Sequence, residues 1–101
     1  MFDDKIQKCS ILDEVYSIIQ ERKKSMPKGS YVASLFKGGH DRILKKIGEE
    51  AGEVIIASKN NEPKEIVYEI ADLWFHTLVV LGYHDISPEE IYEELIKRFK
   101  K

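Results

Sequence analysis

Residues 63–82 read PKEIVYEIADLWFHTLVVLG, and this stretch decides the fold class. Because Pro suits the first turn of a helix and Gly commonly ends one, the stretch predicts a single long helix. From residue 70 onward its only polar side chains are those of Asp72, His76 and Thr77, so apolar side chains lie nearly all round the helix axis. A helix of this kind is mostly buried. A carboxylate on it is costly unless it is paired or bound to a cation.

The segments on either side also show helical periodicity. Residues 2–19 place apolar side chains at three- and four-residue steps, which predicts an amphipathic helix that ends near Lys24. Residues 41–60 predict a second helix with Asp41 as its N-cap, and residues 88–101 predict a shorter last helix. Residues 31–36 fit either a short helix or an extended segment. No segment alternates as a strand, so the sequence predicts one all-α domain over residues 1–101, a bundle of three long helices plus a shorter C-terminal helix.

Composition restricts the classes of protein to which this chain can belong. Its 101 residues are 43% apolar and 34% charged. A single cysteine, Cys9, excludes a disulfide framework and a cysteine-cluster zinc site, and it fits a reducing cytoplasm. The apolar run at residues 73–83 is too short to span a bilayer, and the N-terminus lacks the pattern of a signal peptide. We therefore expect a cytoplasmic protein that does not contact a membrane.

The basic residues are concentrated in one part of the chain. Residues 22–46 contain eight Lys or Arg and one acid, whereas the remainder is strongly acidic. This division argues against general binding of nucleic acid, because most of the surface would repel phosphates. It leaves room for one local anion site.

The chain is short for the apolar surface that it has to cover. A domain of this size buries only about 60–65% of its unfolded surface, and one copy offers few neighbours for the helix of residues 63–82. Ile11 and Ile18 add apolar surface beside the main stripe of the first helix. We therefore expect a homodimer that completes the bundle.

Two groups of acids flank the loop between the second and third long helices. Glu50 and Glu53 lie on one side of the second helix, whereas Glu49 points nearly away from its apolar face. An antiparallel hairpin places Glu53 opposite Glu69 on the third helix. The same hairpin places Glu50 opposite Asp72. Converging carboxylates suit Mg²⁺ or Mn²⁺, and Mg²⁺ commonly recruits substrate phosphates to complete its shell.

A solvated helix face is the simplest alternative for these acids. It would contain ion pairs between residues four apart, Lys45 with Glu49 and Lys46 with Glu50. This interpretation explains Glu49 well. It explains Asp72 poorly, because Asp72 lies on the apolar helix.

A di-iron bundle is a second alternative, but it requires Glu-x-x-His pairs. The spacing of Glu69 and His76 does not supply one. His76 itself fits two roles, a hydrogen-bonded core histidine or a residue that orients Asp72 from behind a metal site.

Three stretches of the sequence resemble a known family: PKGSY at residues 27–31, KKIGEEAGE at residues 45–53 and EIADLWFH at residues 69–76. The Glu-Glu-x-x-Glu pattern, followed after fifteen residues by Glu-x-x-Asp, resembles the metal-binding signature of the all-α nucleoside triphosphate pyrophosphohydrolases, the MazG-like superfamily. Within it, nearly the whole chain resembles the phosphoribosyl-ATP pyrophosphatase family of histidine biosynthesis. Val32 in place of the usual Thr, and Trp74-Phe75 in place of Leu-Tyr, depart from that family near substrate contacts and not at the metal ligands.

The resemblance implies Mg²⁺-dependent hydrolysis of 1-(5-phosphoribosyl)-ATP to 1-(5-phosphoribosyl)-AMP and pyrophosphate, the second step of histidine biosynthesis. The metal ligands that it implies are Glu50, Glu53, Glu69 and Asp72. The catalytic carboxylates are Glu49, Glu50 and Glu53, and the base that takes the proton of water is one of the ligand carboxylates or Glu49. The substrate contacts are Lys28, Ser30, Tyr31, Lys45, Lys46 and His76, with Tyr31 either packing against a base or ribose or belonging to the core.

Two other functions fit the same residues. One is a housekeeping pyrophosphohydrolase that removes noncanonical nucleoside triphosphates. The other is a non-catalytic helical bundle that binds metal or mediates assembly. Release of pyrophosphate from different nucleotides distinguishes these functions from the pathway enzyme.

Overall fold

The computed structural model describes residues 10–100, which form five α-helices. They are α1 (Ile11–Ser25), α2 (Tyr31–Gly38), α3 (His40–Lys59), α4 (Pro63–Tyr83) and α5 (Pro88–Phe99). Residues 10–100 contain no strand, so the predicted all-α class is confirmed. The portion of the first predicted helix that precedes residue 10 lies outside the described residues.

The segment that the sequence left undecided is the helix α2. Its N-cap is Ser30, whose Oγ accepts a hydrogen bond from the Ala33 amide at 3.1 Å. Val32, Ala33 and Leu35 are buried against the rest of the bundle. Capping and burial support a helix of eight residues that would not be stable alone. The bundle therefore has one short helix more than the three long helices and one shorter helix that the sequence predicts.

The prediction that Asp41 caps α3 is wrong. Gly39 occupies the cap position with φ 93°, and α3 begins at His40. Glycine adopts this positive φ without strain, so a single residue ends α2 and turns the chain into α3. Asp41 lies in the first turn of α3, where its charge still favours the helix dipole.

The hairpin of α3 and α4 organises the molecule. Asn61 adopts a left-handed conformation in the connecting turn, with φ 54°, and Pro63 begins α4. The most extensive helix packing is between α3 and α4, followed by that between α1 and α4. The buried apolar core lies where α4 meets α1, α2 and α3, and it contains Ile19, Val32, Leu35, Ile43, Leu78 and Val79.

By length and composition alone, α4 could cross a membrane, with a mean hydropathy of 1.3 over its most apolar window. The apolar run at residues 73–83 is shorter than α4, which has 21 residues, so the length of the apolar helix was underestimated from the sequence. The core helix of a soluble bundle passes the same test, and α4 packs against both α1 and α3, while one chain alone buries 22% of the apolar window. We interpret α4 as the central helix of the bundle.

One copy of the chain leaves a large apolar surface exposed. Trp74, on α4, is 54% exposed, and Leu95, on α5, is 47% exposed. Both side chains line a groove of about 630 Å³, called here the apolar groove. Its lining residues come from α1, α3, α4 and α5: Leu12, Leu44, Ile47, Trp74, Thr77, Leu78, Val80, Leu81, Pro88, Ile91, Tyr92 and Leu95. The homodimer expected from the sequence stays a prediction, and this groove is the surface that it would cover.

Candidate metal centre

The α3–α4 hairpin brings together three side chains that could hold a metal ion, those of Glu50, Asp72 and His76. One ligand atom from each lies within 4.8 Å of the others. Glu50 is 6% exposed and His76 is 2% exposed, while Asp72 is partly buried. The pairing of Glu50 with Asp72 expected from the hairpin geometry is therefore present in the structure.

The carboxyl groups of Glu50 and Asp72 lie against each other, with an oxygen of each within 4.8 Å. Burial, and next the contact with Glu50, raise the pKa of Asp72. The same contact lowers the pKa of Glu50, and the bond from Lys46 lowers it further. Two carboxyl groups in contact disfavour each other's charge, so in the absence of a cation Asp72 is the member of the pair that takes up a proton first as the pH falls.

Lys46 is the cation that faces this pair. Its Nζ lies 3.2 Å from Glu50 and 3.5 Å from Glu49. The hydrogen bond to Glu50 raises the pKa of Lys46, so Lys46 stays charged. The predicted ion pair of Lys46 with Glu50 is present. The predicted pair of Lys45 with Glu49 is not formed among the described residues, where Glu49 contacts Lys46 instead. One lysine therefore bridges two acids and leaves the remaining negative charge of the cluster unneutralised.

Glu53 and Glu69 lie beside this pair but outside the tightest group. Glu53 is exposed and Glu69 is half-buried. Partial burial, then the charges of Glu53, Glu50 and Asp72, raise the pKa of Glu69. The charges of Glu53, Glu50 and Asp72 all act on Glu69, so Glu69 lies within electrostatic reach of the other three predicted carboxylates, whereas the tightest group holds only Glu50, Asp72 and His76.

His76 is held on both of its ring nitrogens. Its Nδ1 lies 2.8 Å from the main-chain oxygen of Asp72 and 3.3 Å from the Asp72 carboxylate. Its Nε2 lies 2.9 Å from the hydroxyl oxygen of Tyr31. Sequence reasoning missed the contact between Tyr31 and His76, since 45 residues separate them and no local pattern joins them.

The other predicted substrate contacts, Lys28, Ser30 and Lys45, do not belong to the tight group of Glu50, Asp72 and His76. Lys28 and Lys45 are exposed. Ser30 uses its side-chain oxygen to cap α2, a structural role that the sequence did not indicate. The tight cluster itself is built from α3 and α4, and α2 adds Tyr31 to it.

Comparison with known proteins identifies the family. A sequence model of the phosphoribosyl-ATP pyrophosphohydrolases matches residues 12–99. The chain belongs to this family. A phosphoribosyl-ATP pyrophosphatase of Geobacter metallireducens is 59% identical over 93 residues, which cover 92% of this chain and 85% of the relative. A phosphoribosyl-ATP pyrophosphatase of Geotalea daltonii is 60% identical over 89 residues, 88% of this chain and 84% of the relative. One from Neisseria meningitidis serogroup B is 49% identical over 89 residues, 88% of this chain and 83% of the relative.

Family membership gives the acidic cluster a context. The matched region contains all of α3 and α4, and it therefore includes the four carboxylates and His76. The donor set is chemically suited to a hard divalent cation, because it consists of carboxylate oxygens and the histidine nitrogens are already engaged. The cluster is thus a candidate acidic metal site in a family of phosphoanhydride hydrolases.

Proposed function

We propose that this chain hydrolyses 1-(5-phosphoribosyl)-ATP to 1-(5-phosphoribosyl)-AMP and pyrophosphate, the second step of histidine biosynthesis. The observation that carries the proposal is the buried contact of Glu50 with Asp72, in a chain whose family is named for this reaction. A buried carboxyl group in contact with a partly buried one weakens the metal-free fold, so the presence of this pair is explained best by a cation that it binds.

The proposed cofactor is Mg²⁺, for which Mn²⁺ can substitute. Its ligands would be carboxylate oxygens of Glu50, Glu53, Glu69 and Asp72. Oxygen donors of this kind suit both cations, and Mg²⁺ usually keeps some positions for water and substrate phosphates. The positive charge supplied by the bound metal would stabilise the phosphate oxygens and the leaving pyrophosphate.

The reaction adds one water molecule across a phosphoanhydride bond. The water oxygen forms a bond to phosphorus, the bridging oxygen leaves with pyrophosphate, and the water gives up a proton. We assign acceptance of that proton to the carboxylates on one segment of α3, those of Glu49, Glu50 and Glu53. Glu50, whose pKa is lowered, is ionised at neutral pH, and the ionised form is the one that holds a cation or accepts a proton.

The basic side of the site would bind the rest of the substrate. Lys46 stays charged beside Glu50, and Lys28 and Lys45 are exposed and free to contact phosphate oxygens from the solvent side. Ser30 keeps a hydroxyl proton to donate while its oxygen caps α2. The half-exposed ring of Tyr31 offers a face to a base or ribose, and His76 contributes through Tyr31. We propose a cytoplasmic location and no nucleic-acid partner.

A parallel assay with three nucleotides tests the function. With Mg²⁺ present, we expect release of pyrophosphate from phosphoribosyl-ATP at least about a hundredfold faster than from ATP or dUTP, since a site built for polar groups rejects substrates that lack them. Hydrolysis of ATP or dUTP at the same rate would favour the housekeeping function instead. Absence of release from all three, in a folded protein, would leave a non-catalytic metal-binding bundle.

We also propose that the chain is a homodimer joined through the apolar groove. A second copy would bury Trp74 and Leu95, which are otherwise exposed to water. Sedimentation equilibrium at micromolar concentration is expected to give a mass near twice the 11.7 kDa of one chain.

Substitution on α5 tests the surface that joins the two copies. Leu95→Glu places a carboxylate in the apolar groove and should shift the protein to a monomer, because burying that charge is costly. Ile96→Glu is the matched control, with the same charge on the next residue but outside the groove, and it should remain a dimer. A stable wild-type monomer, or dissociation by both variants alike, would contradict the proposed interface.

A further inference from the structure

Three side chains form a continuous hydrogen-bonded series between α2 and α4. The Tyr31 hydroxyl oxygen lies 2.9 Å from His76 Nε2. His76 Nδ1 lies 2.8 Å from the Asp72 main-chain oxygen and 3.3 Å from an Asp72 carboxylate oxygen. His76 is almost fully buried, so solvent does not compete for either ring nitrogen.

The direction of each hydrogen bond follows from its acceptor. The main-chain oxygen of Asp72 can only accept, so His76 Nδ1 carries the hydrogen and donates it. In the neutral ring, Nε2 then has a lone pair, and the Tyr31 hydroxyl donates to it. The same Nδ1–H also faces the Asp72 carboxylate, so one group restrains both the backbone and the side chain of that residue.

The local fold of α2 fixes Tyr31 at the start of this series. Ser30 caps the helix, which makes Tyr31 its first residue. Its ring packs near Phe75 at a centroid distance of 6.2 Å and meets the His76 ring edge-on at 5.9 Å. Ser34 donates a hydrogen bond to the Tyr31 main-chain oxygen at 2.6 Å. The hydroxyl is therefore directed at His76 by a capped helix and by the neighbouring ring of Phe75.

We infer that Tyr31 is a positioning residue: its hydroxyl holds the orientation of the His76 ring, whose tautomer the Asp72 main-chain oxygen sets, and His76 in turn holds the Asp72 carboxylate in place for a metal. The inference rests on the proposed metal site and extends it to a residue on a third helix. It also separates His76 from the ligands, although a nitrogen of His76 lies within 4.8 Å of the nearest oxygens of Glu50 and Asp72. Direct ligation would break one of the two hydrogen bonds on a buried ring.

NMR of the imidazole nitrogens tests the first step without any metal or substrate. In the metal-free wild type, His76 should show a protonated Nδ1 and an unprotonated, hydrogen-bonded Nε2. In Tyr31→Phe, the Nε2 signal should shift because its donor is gone. A wild type that carries the hydrogen on Nε2, or a Tyr31→Phe variant with an unchanged His76 spectrum, would overturn the inference.

Calorimetric titration with Mn²⁺ tests the second step. We expect Tyr31→Phe to bind Mn²⁺ about tenfold more weakly than the wild type, the effect typical of groups that orient metal ligands. Tyr16→Phe is the matched control, since it removes a hydroxyl whose oxygen accepts a hydrogen bond from Gln20 Nε2, within α1, at 3.0 Å. It should bind Mn²⁺ like the wild type. Equal binding by Tyr31→Phe and the wild type would overturn the inference.

Two substitutions of His76 separate positioning from simple packing. In His76→Asn the amide nitrogen replaces Nδ1 and can still donate to Asp72, whereas in His76→Gln the amide group replaces Nε2. If positioning is the role of the ring, Asn should retain at least about tenfold tighter Mn²⁺ binding than Gln. If His76 only fills space, the larger Gln should be the better replacement, and the inference fails.

These readouts do not depend on turnover. A wild type that binds Mn²⁺ through this series but releases no pyrophosphate from phosphoribosyl-ATP would overturn the proposed function and support the positioning of Asp72. An active wild type, together with unchanged metal binding in Tyr31→Phe, would support the proposed function and overturn the positioning of Asp72.

Discussion

Replacing Asp72 with Asn is expected to abolish release of pyrophosphate while leaving the metal-free protein as stable as the wild type or more stable. The loss of activity should be at least about a hundredfold, because the substitution removes a proposed metal ligand and not merely a group that orients one. The gain in stability has a separate cause. Asn keeps an oxygen that accepts from His76 and gains an amide that can donate to Glu50, so a like-charge contact becomes a hydrogen bond.

The pH dependence of this gain has a definite sign. The folded protein raises the pKa of Asp72 above its ordinary value of 3.8, by burial and then by contact with Glu50. The stability contributed by protonated Asp72 is therefore complete below the unfolded pKa and is lost as the pH rises through the folded pKa. Asn at this position does not ionise. The advantage of Asp72→Asn in EDTA should be largest near neutral pH and disappear toward about pH 4.

Denaturant unfolding in EDTA at several pH values, together with an assay of pyrophosphate, measures both effects. Asp41→Asn is the matched control, because Asp41 is an exposed acid in the first turn of α3 and should keep full activity. If the acids formed only stabilising ion pairs, Asp72→Asn would unfold more readily at neutral pH. A variant of that kind that still hydrolysed substrate would exclude Asp72 as a metal ligand.

The hairpin that carries the site could be predicted from the sequence because its signals are local. Apolar periodicity, the turn around Asn61 and the first-turn Pro63 together set the direction of α3 and α4. Once the two helices are antiparallel, their residue spacing alone places Glu50 near Asp72. The family resemblance then followed from the same acids.

The parts that were missed depend on packing between distant segments. Residues 31–36 are mostly apolar and have no polar face to define a period, so the Ser30 cap and the buried side chain of Leu35 decide for a helix. The start of α3 depends on the positive φ of Gly39, which the sequence GG allows but does not specify.

The partner of Glu49 was also beyond sequence reasoning. Lys45 and Lys46 both lie within one turn of Glu49 on α3, and only the side-chain conformations determine that Lys46 contacts Glu49 as well as Glu50. The contact of Tyr31 with His76 requires the position of α2 against α4, which no spacing within either helix encodes.

Lys46 leads to the second large effect, a destabilisation that Mg²⁺ should reverse. Its Nζ contacts both Glu49 and Glu50, and its side chain is 27% exposed. Lys46→Met keeps a long apolar stem and removes the charge, which leaves a buried carboxylate beside Asp72 without its cation. In EDTA we expect this variant to lose about 1.5–3 kcal/mol of unfolding free energy, the range for a hydrogen bond to a charged group.

Mg²⁺ should recover much of that loss, because a cation bound only by the folded state adds stability by mass action. For the wild type the gain is about 2.7 kcal/mol at a Mg²⁺ concentration one hundred times the dissociation constant. Lys46→Met should gain at least as much, since it lacks the competing lysine charge, whereas Asp72→Asn should gain little.

Lys45→Met, one residue away and exposed, is the control for stability and should unfold like the wild type in EDTA. Thermal melts of the four proteins, with EDTA and with Mg²⁺, decide the matter. Equal melting of Lys46→Met and the wild type in EDTA would mean that Lys46 does not neutralise the cluster. A wild type whose melting temperature ignores Mg²⁺ would mean that the four carboxylates do not bind it.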